Sequence, residues 1–511
     1  MGVIIRQSIK GTIVNYVGAF IGFLITFFIT TKFLSAEEIG LVRILLEAGL
    51  LFGSLSLLGV NSSAIRFFPY FKNNEKNDNG FFFWTLLIPF VGFLIVTLCF
   101  ILLKTPITSY FSKNSALFVD YYYLVIPLGL FFLYMIVFET NSNVLMRIVV
   151  PKFIREIGIR MMTITIYLLY AFRLIDLDWF VILLIGAYGI ATLLNVIYLF
   201  TIKKISFKPN FAYITKPLRK SFLFYTSFLI LAAFSGSIMG KIDVFIVGGS
   251  LGLEDTGIYS IAFYIAIIVE IPFRSLVAIS LPEIAQSIKA KDHPHTNSLC
   301  KRVSLHQFLA GSFIFLLIWI NIDFLFDLLP NGHIYAAGKW VVFFIGLSRL
   351  IDSSFGIGLS VLNFSKYYYY SLIFTFTLVL ITILGNLYLI PKLGITGASL
   401  AMFLSYLIYI SLLLAFLYWK AKINPLSINQ LKIIGIALCM ILISWIWGKN
   451  LSPILLNINI NPILALAFNA LGKSLLSIGT GLILVYVLHI SEDVNSLARK
   501  YLAKMGIHIN A

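Results

Sequence analysis

Apolar runs long enough to cross a bilayer succeed one another through nearly the whole chain, and this constrains the fold more than anything else in the sequence. A bilayer core asks for about 20 apolar residues per helix, and about fourteen runs reach that length. They fall near 9–33, 41–68, 81–103, 119–145, 157–175, 179–202, 221–249, 258–281, 307–329, 338–363, 369–390, 397–419, 432–448 and 462–488. The longest polar stretch, around 283–306, is too short for a soluble domain. Only 12% of the residues are charged and 60% are hydrophobic, whereas soluble chains carry roughly 25% charged residues. The expected class is an all-α integral membrane protein with about 14 transmembrane helices.

The basic residues set the orientation. Alternate connections differ roughly three to one in Lys and Arg, and the richest holds Lys203, Lys204, Lys208, Lys216, Arg219 and Lys220. Cytoplasmic connections carry that excess, so a multi-pass chain with both termini cytoplasmic is expected. The formal charge of +17 does not indicate nucleic acid, because the cations are scattered among short turns and form no continuous basic face. Cys99, Cys300 and Cys439 are far apart with no CxxC spacing; they suit small hydrophobes, not a disulfide framework or a metal site. The first run leads directly into helix-length sequence with no A-x-A-like stop, so the first helix is expected to serve as its own insertion signal.

One phrase occurs twice. Leu34-Ser35-Ala36-Glu37-Glu38-Ile39-Gly40-Leu41 is echoed by Leu251-Gly252-Leu253-Glu254-Asp255-Thr256-Gly257-Ile258. Each copy is an acidic turn after the first helix of what reads as one half. The expected organisation is an N-terminal lobe of six helices over 1–202, a cytoplasmic linker over 203–220 and a second six-helix lobe over 221–419. A further helix pair and a cytoplasmic tail follow over 420–511. Copies in the same orientation imply lobes related by a pseudo-two-fold along the membrane normal, an arrangement common in transporters.

These turns, together with Ile390-Pro391-Lys392-Leu393-Gly394-Ile395-Thr396-Gly397-Ala398, resemble those of the multidrug/oligosaccharidyl-lipid/polysaccharide exporter superfamily. Within it the chain is most similar to polysaccharide-biosynthesis flippases of the O-antigen type. The resemblance implies two lobes around a central cavity lined chiefly by helices 1, 2, 7 and 8. It also implies a prenyl-diphosphate-linked oligosaccharide moved from the cytoplasmic to the periplasmic leaflet of the bacterial inner membrane by alternating access. Export of surface polysaccharide, such as the O-antigen of lipopolysaccharide, is the expected purpose. Fourteen helices rather than the twelve of drug-extruding relatives favour a cargo with a long lipid tail. The alternatives are a cation-coupled multidrug exporter, a peptidoglycan-precursor flippase and, from another class, a membrane polysaccharide polymerase or glycosyltransferase. Short periplasmic connections argue against an enzyme, and no P-loop, HExxH or nucleophile elbow is present. No cofactor or metal is expected; the expected partners are the cargo, membrane lipids and a polysaccharide polymerase complex around a monomeric transport unit.

Charges within apolar runs are the candidate site, since each costs about 2.5–3.5 kcal/mol or more unless paired or hydrated. Lys241, Arg274, Arg349, Arg43 and Lys473 are the candidate cations for an anionic headgroup. Arg suits paired phosphates through its planar fork. Glu270, Asp243, Asp352, Glu47 and Glu139 are candidates either to couple transport to an H⁺ or Na⁺ gradient or to neutralise those cations. Helical spacing favours three pairs, Glu270 with Arg274, Arg349 with Asp352 and Arg43 with Glu47. Lys241 has no carboxylate at such spacing, which makes it the first choice among the cations, and any partner must come from another helix. Pro272 lies between Glu270 and Arg274 and is expected to reshape the helix there.

Overall fold

The structure, a computed structural model, describes residues 2–73, 77–202, 208–211, 213, 215–217, 219–220, 222, 224–227, 230, 241–453 and 462–504. Over these residues the chain is helical between short turns, with no strand. It forms two compact units, one of Met1–Ser260 with Leu329–Asn331 and one of Ile261–Leu328 with Gly332–Ala511. The expected linker 203–220 lies largely outside the described residues.

Eleven helices among the described residues are long and apolar enough to cross a membrane; the expected fourteen is not reached, for three separate reasons. Most of the run 221–249 lies outside the described residues. The run 157–175 belongs to a helical stretch that carries Lys152, Arg155, Glu156 and Arg160, which makes it more polar than the eleven. Runs 369–390 and 397–419 join in one 49-residue helix, Tyr368–Phe416, interrupted where Gly394 takes φ 58° and ψ −139°. Only glycine adopts that conformation readily. A straight helix of that length would be about 74 Å long, more than twice a bilayer core, so the break at Gly394 is what lets the segment fit.

In the first unit, the Ala36–Ser56 helix packs on the Val125–Val144 helix. Leu41, Ile44, Leu45, Leu128 and Leu133 are fully buried between and around them. Gly49 and Gly53, four residues apart, face Leu128, Gly129 and Phe132, a small-residue spacing that lets membrane helices approach closely where dispersion rather than hydrophobicity drives association. The start of the Ala36–Ser56 helix explains the acidic repeat. Ser35 accepts the Glu38 N–H at 3.2 Å while its own N–H donates to Glu38 at 2.8 Å. That reciprocal cap satisfies two orphan donors, and Glu37 and Glu38 complement the positive end of the helix dipole. In the second copy Gly252, at φ 116°, replaces the serine ahead of Glu254 and Asp255 in the Leu253–Ala266 helix.

In the second unit, the His293–Ile320, Lys339–Phe355 and Tyr368–Phe416 helices surround Val341, Val342, Ile345, Ala398 and Leu413, all buried. The Ile428–Asn450 helix pairs with Pro462–Val487 and rests on His293–Ile320, where buried Gln430 donates to Ser304 at 2.9 Å. Only 17% of its most apolar window is buried, against 56% for Ala36–Phe71. Leu431, Ile434, Leu438, Leu442 and Trp445 form an exposed stripe at helical spacing. A face of that kind is stable only against lipid.

Candidate functional site

The two copies of the repeated turn meet inside the first unit. A methyl group added at Gly40 would overlap the carbonyl oxygen of Leu253, and one added at Gly257 would overlap the carbonyl oxygen of Ala36. The contact is reciprocal: each motif glycine accepts the backbone at the start of the other copy's helix. The second copy is also tied to the 110–115 segment. There Ser115 donates to the Gly248 carbonyl at 2.6 Å and Asn114 to the Ser250 carbonyl at 2.7 Å.

One turn beyond Gly40, the buried face of the same helix carries charge. Arg43 and Glu47 join at 3.0 Å through one carboxylate oxygen, and the other oxygen receives Lys241 at 3.3 Å. The Arg43–Glu47 spacing therefore produces the expected pair, whereas Lys241 finds its carboxylate on a different helix. Lys241 stands at the start of the Ile242–Ser250 helix, where the helix dipole disfavours a cation, so Glu47 is the group that holds it. Asp243, 4% exposed, accepts from the Tyr259 hydroxyl at 3.4 Å. Arg43 and Lys241 share the single carboxylate of Glu47, so these three groups carry one net positive charge.

The second unit holds another cluster. Ile267–Glu270 is a tighter turn, and a new helix begins at Ile271 with Pro272 in its first turn, so the proline resets the helix beside Glu270 as expected. Arg349 pairs with Glu270 at 3.7 Å, and its charge also acts on Asp352, at the expected i,i+3 spacing. The Glu270 carboxylate approaches from another helix, and the guanidinium reaches the Tyr406 hydroxyl at 3.5 Å. Its carbon lies 5.6 Å from the ring centres of both Phe263 and Tyr406, within cation–π range. Asp352 follows one turn later on the Arg349 helix, beside Gly356. The Arg274 side chain lies outside the described residues, so the expected Glu270–Arg274 pair does too.

Two other candidates sit apart from these clusters. Lys473 donates to the Ile320 carbonyl, beside the Asn321–Ser474 hydrogen bond of 2.8 Å. It caps the end of the His293–Ile320 helix, where a cation complements the dipole. Glu139 binds Arg155 at 2.6 Å within a chain that continues through Glu156, at 3.1 Å from Arg155, to Arg160. The sequence reading missed that network. Its signal was the cluster of charges at 155–160, in a run already known to be polar. The aromatic partners Tyr259, Phe263 and Tyr406 were missed as well, because aromatics are common along every run here.

The sequence pattern of the family described as "Polysaccharide biosynthesis protein" matches residues 6–288. A solved structure titled "Lipid II flippase MurJ, inward closed conformation" aligns with 95% of this chain and 99% of its own, with a TM-score of 0.69 at 15% identity. A multidrug resistance MATE family transporter of the MOP superfamily, in an inward-facing conformation, aligns with 77% of this chain and 92% of its own, with a TM-score of 0.54 at 14% identity. What is shared at such identities is the fold. No curated protein matches the sequence.

Proposed function

Because the chain belongs to the polysaccharide biosynthesis protein family, we propose that it is a flippase for a prenyl-diphosphate-linked oligosaccharide, moving it from the cytoplasmic to the periplasmic leaflet for surface polysaccharide export. The observation that carries the reading is the sharing of one half-buried carboxylate, Glu47, by Arg43 and Lys241. Two cations held by one exchangeable anion suit a cargo whose headgroup has two linked phosphates. A diphosphate entering the cluster replaces Glu47, offering several oxygens to the Arg43 fork and the Lys241 ammonium. The polar headgroup is then solvated by protein while its tail stays in lipid.

The exchange of partners at Glu47 also couples the cargo to the cycle. A ligand shifts an equilibrium only by its differential affinity for the two states, and exchange of Glu47 for phosphate supplies that difference. Arg349, more loosely paired with Glu270 at 3.7 Å, is the corresponding cation of the second unit. The basic bias of the connections supports a bacterial inner-membrane orientation with cytoplasmic termini.

The test is glycan analysis in a deletion strain complemented with wild type or Lys241→Ala. The expected result is loss of surface polysaccharide with lipid-linked repeat units accumulating inside, restored by wild type and not by Lys241→Ala at equal membrane level. Unchanged surface glycan in a strain with no second flippase would sink the reading, and drug-efflux and peptidoglycan-precursor assays would then decide between the alternatives.

A further inference from the structure

The second unit also carries a cavity of about 820 Å³ lined by Lys289, Lys291, Lys366, Lys420 and Lys422, none of them a member of either charge cluster. Three separate turns supply these lysines. The first joins the Ile271–Lys289 and His293–Ile320 helices, the second joins Ile357–Phe364 to Tyr368–Phe416, and the third follows Leu417–Ala421. Nothing in the sequence brings these turns together; the fold does. A volume of this size matches ligand sites, which run from about 300 to 1,000 Å³.

The bland explanation is that lysines collect at helix ends on the basic side of a membrane protein. Lys289 and Lys420 fit it, since each lies in the last turn of its helix, where the dipole favours cations. Lys422 is the C-cap of its helix and Lys291 follows the C-cap of Ile271–Lys289, so they fit it too, whereas Lys366, in the turn before Tyr368–Phe416, does not. Lys291 and Lys422 take φ of 59° and 57°, the left-handed conformation that glycine usually supplies at this position. Met146 does the same elsewhere, so the conformation alone shows nothing.

The acidic groups nearby are occupied. Asp292 caps the His293–Ile320 helix by accepting the His295 N–H at 3.0 Å, and Glu283 faces His295 at 3.4 Å. Neither lines the cavity, and none of the five lysines has a carboxylate within ion-pair distance among the described residues. Val361 and Phe364 add apolar lining beside the lysines. Tyr367 is among the lining residues and opens a run of tyrosines in which Tyr368, Tyr369 and Tyr370 are exposed. Tyrosines of this kind mark the headgroup level of a bilayer, and basic pockets between membrane helices at that depth take phosphate-bearing headgroups.

We propose that this lysine cavity binds a pair of lipid-borne phosphates at the membrane surface, as a site separate from the Glu47 and Glu270 clusters. The five ammonium groups supply the charge, and the apolar part of the lining accepts the first carbons of the lipid. Two sources have this chemistry, a resident phospholipid with two phosphates and a prenyl diphosphate. The site does not depend on the cargo assignment above.

Purified full-length protein in detergent is titrated with cardiolipin, farnesyl diphosphate, phosphatidylcholine and inorganic pyrophosphate, with bound ligand read by native mass spectrometry and unfolding temperature recorded in parallel. The expected result is at least tenfold tighter retention of a two-phosphate lipid than of phosphatidylcholine. Replacing all five lysines by glutamine should remove that preference without changing the unfolding temperature in phosphatidylcholine. The better retained of cardiolipin and farnesyl diphosphate identifies the source. Should the fivefold variant not fold, Lys366→Gln with Lys422→Gln, both on exposed turns, should weaken retention severalfold. Equal retention of cardiolipin, farnesyl diphosphate and phosphatidylcholine by wild type overturns the proposal. So does undiminished retention in a folded variant, or binding of pyrophosphate as tight as that of either lipid.

Discussion

Glu47→Gln is expected to be the most damaging single substitution of a charged residue in this protein. The carboxylate serves Arg43 at 3.0 Å and Lys241 at 3.3 Å, one oxygen to each, with side-chain exposures of 10% for Arg43, 12% for Glu47 and 18% for Lys241. Glutamine keeps the shape and removes the charge, which leaves two cations short of a counter-charge in a poorly hydrated place. Breaking a buried ion pair from one side costs about 3–5 kcal/mol, whereas removing both partners is often close to neutral. The double variant Glu47→Gln with Lys241→Met should therefore recover at least half of the stability lost by Glu47→Gln alone. Thermal unfolding in detergent measures both. With Lys241→Met measured as well, a double-variant loss equal to the sum of the two single losses would show that Glu47 and Lys241 are not energetically coupled. Both variants should fail to transport, since each removes part of the group that exchanges partners with the cargo.

The second large effect is expected at the reciprocal glycines. A side chain at Gly40 meets the Leu253 carbonyl, and one at Gly257 meets the Ala36 carbonyl. Both obstacles are backbone within helix starts, so no rotamer change relieves them and the two turns must part. Overpacking of this kind costs about 1–3 kcal/mol, and each alanine variant should lose an amount in that range. The double variant should lose clearly less than the sum, because one separation makes room for both methyl groups. Neighbouring sites fail to add by about 0.5–3 kcal/mol when they share such a relaxation. Unfolding temperatures of the two single variants and the double one provide the check, and strict additivity would mean that the contacts relax independently. If the contact opens and closes during transport, the same variants should also lower the transport rate at unchanged membrane level.

The repeated phrase shows how far local sequence reaches. Its acidic pair and Ser35 were readable as a helix start, because a cap acts within three residues: Ser35 and Glu38 satisfy one another without help from elsewhere. The same holds for the membrane class, which follows from runs of apolar residues, and for Pro272, whose missing N–H resets its own helix. The Arg43–Glu47 pair was readable for a similar reason, since one helical turn separates its members. The family resemblance belongs here too, because it rests on turn motifs that are local.

Partner choice beyond one helix was not readable. Spacing alone would pair Arg349 with Asp352 and does not show Glu270, its ion-pair partner from another helix. Lys241 has no carboxylate at helical spacing, and it is the Ala36–Ser56 helix that brings Glu47 to it. Lys473 looked like one more buried cation and proved to cap the carbonyl end of another helix. Each outcome depends on how far a helix is rotated and how deep it sits, and those are set by packing such as that of Gly49 and Gly53 on Gly129. The lysine cavity follows the same rule, being assembled from turns distant in the chain. Sequence by itself determined what each segment is, because hydropathy, caps and turn residues act over about one helical turn. Tertiary structure alone decided which charges share a partner, because an ion pair needs approach within about 4 Å, and only the packing of helices remote in sequence supplies it.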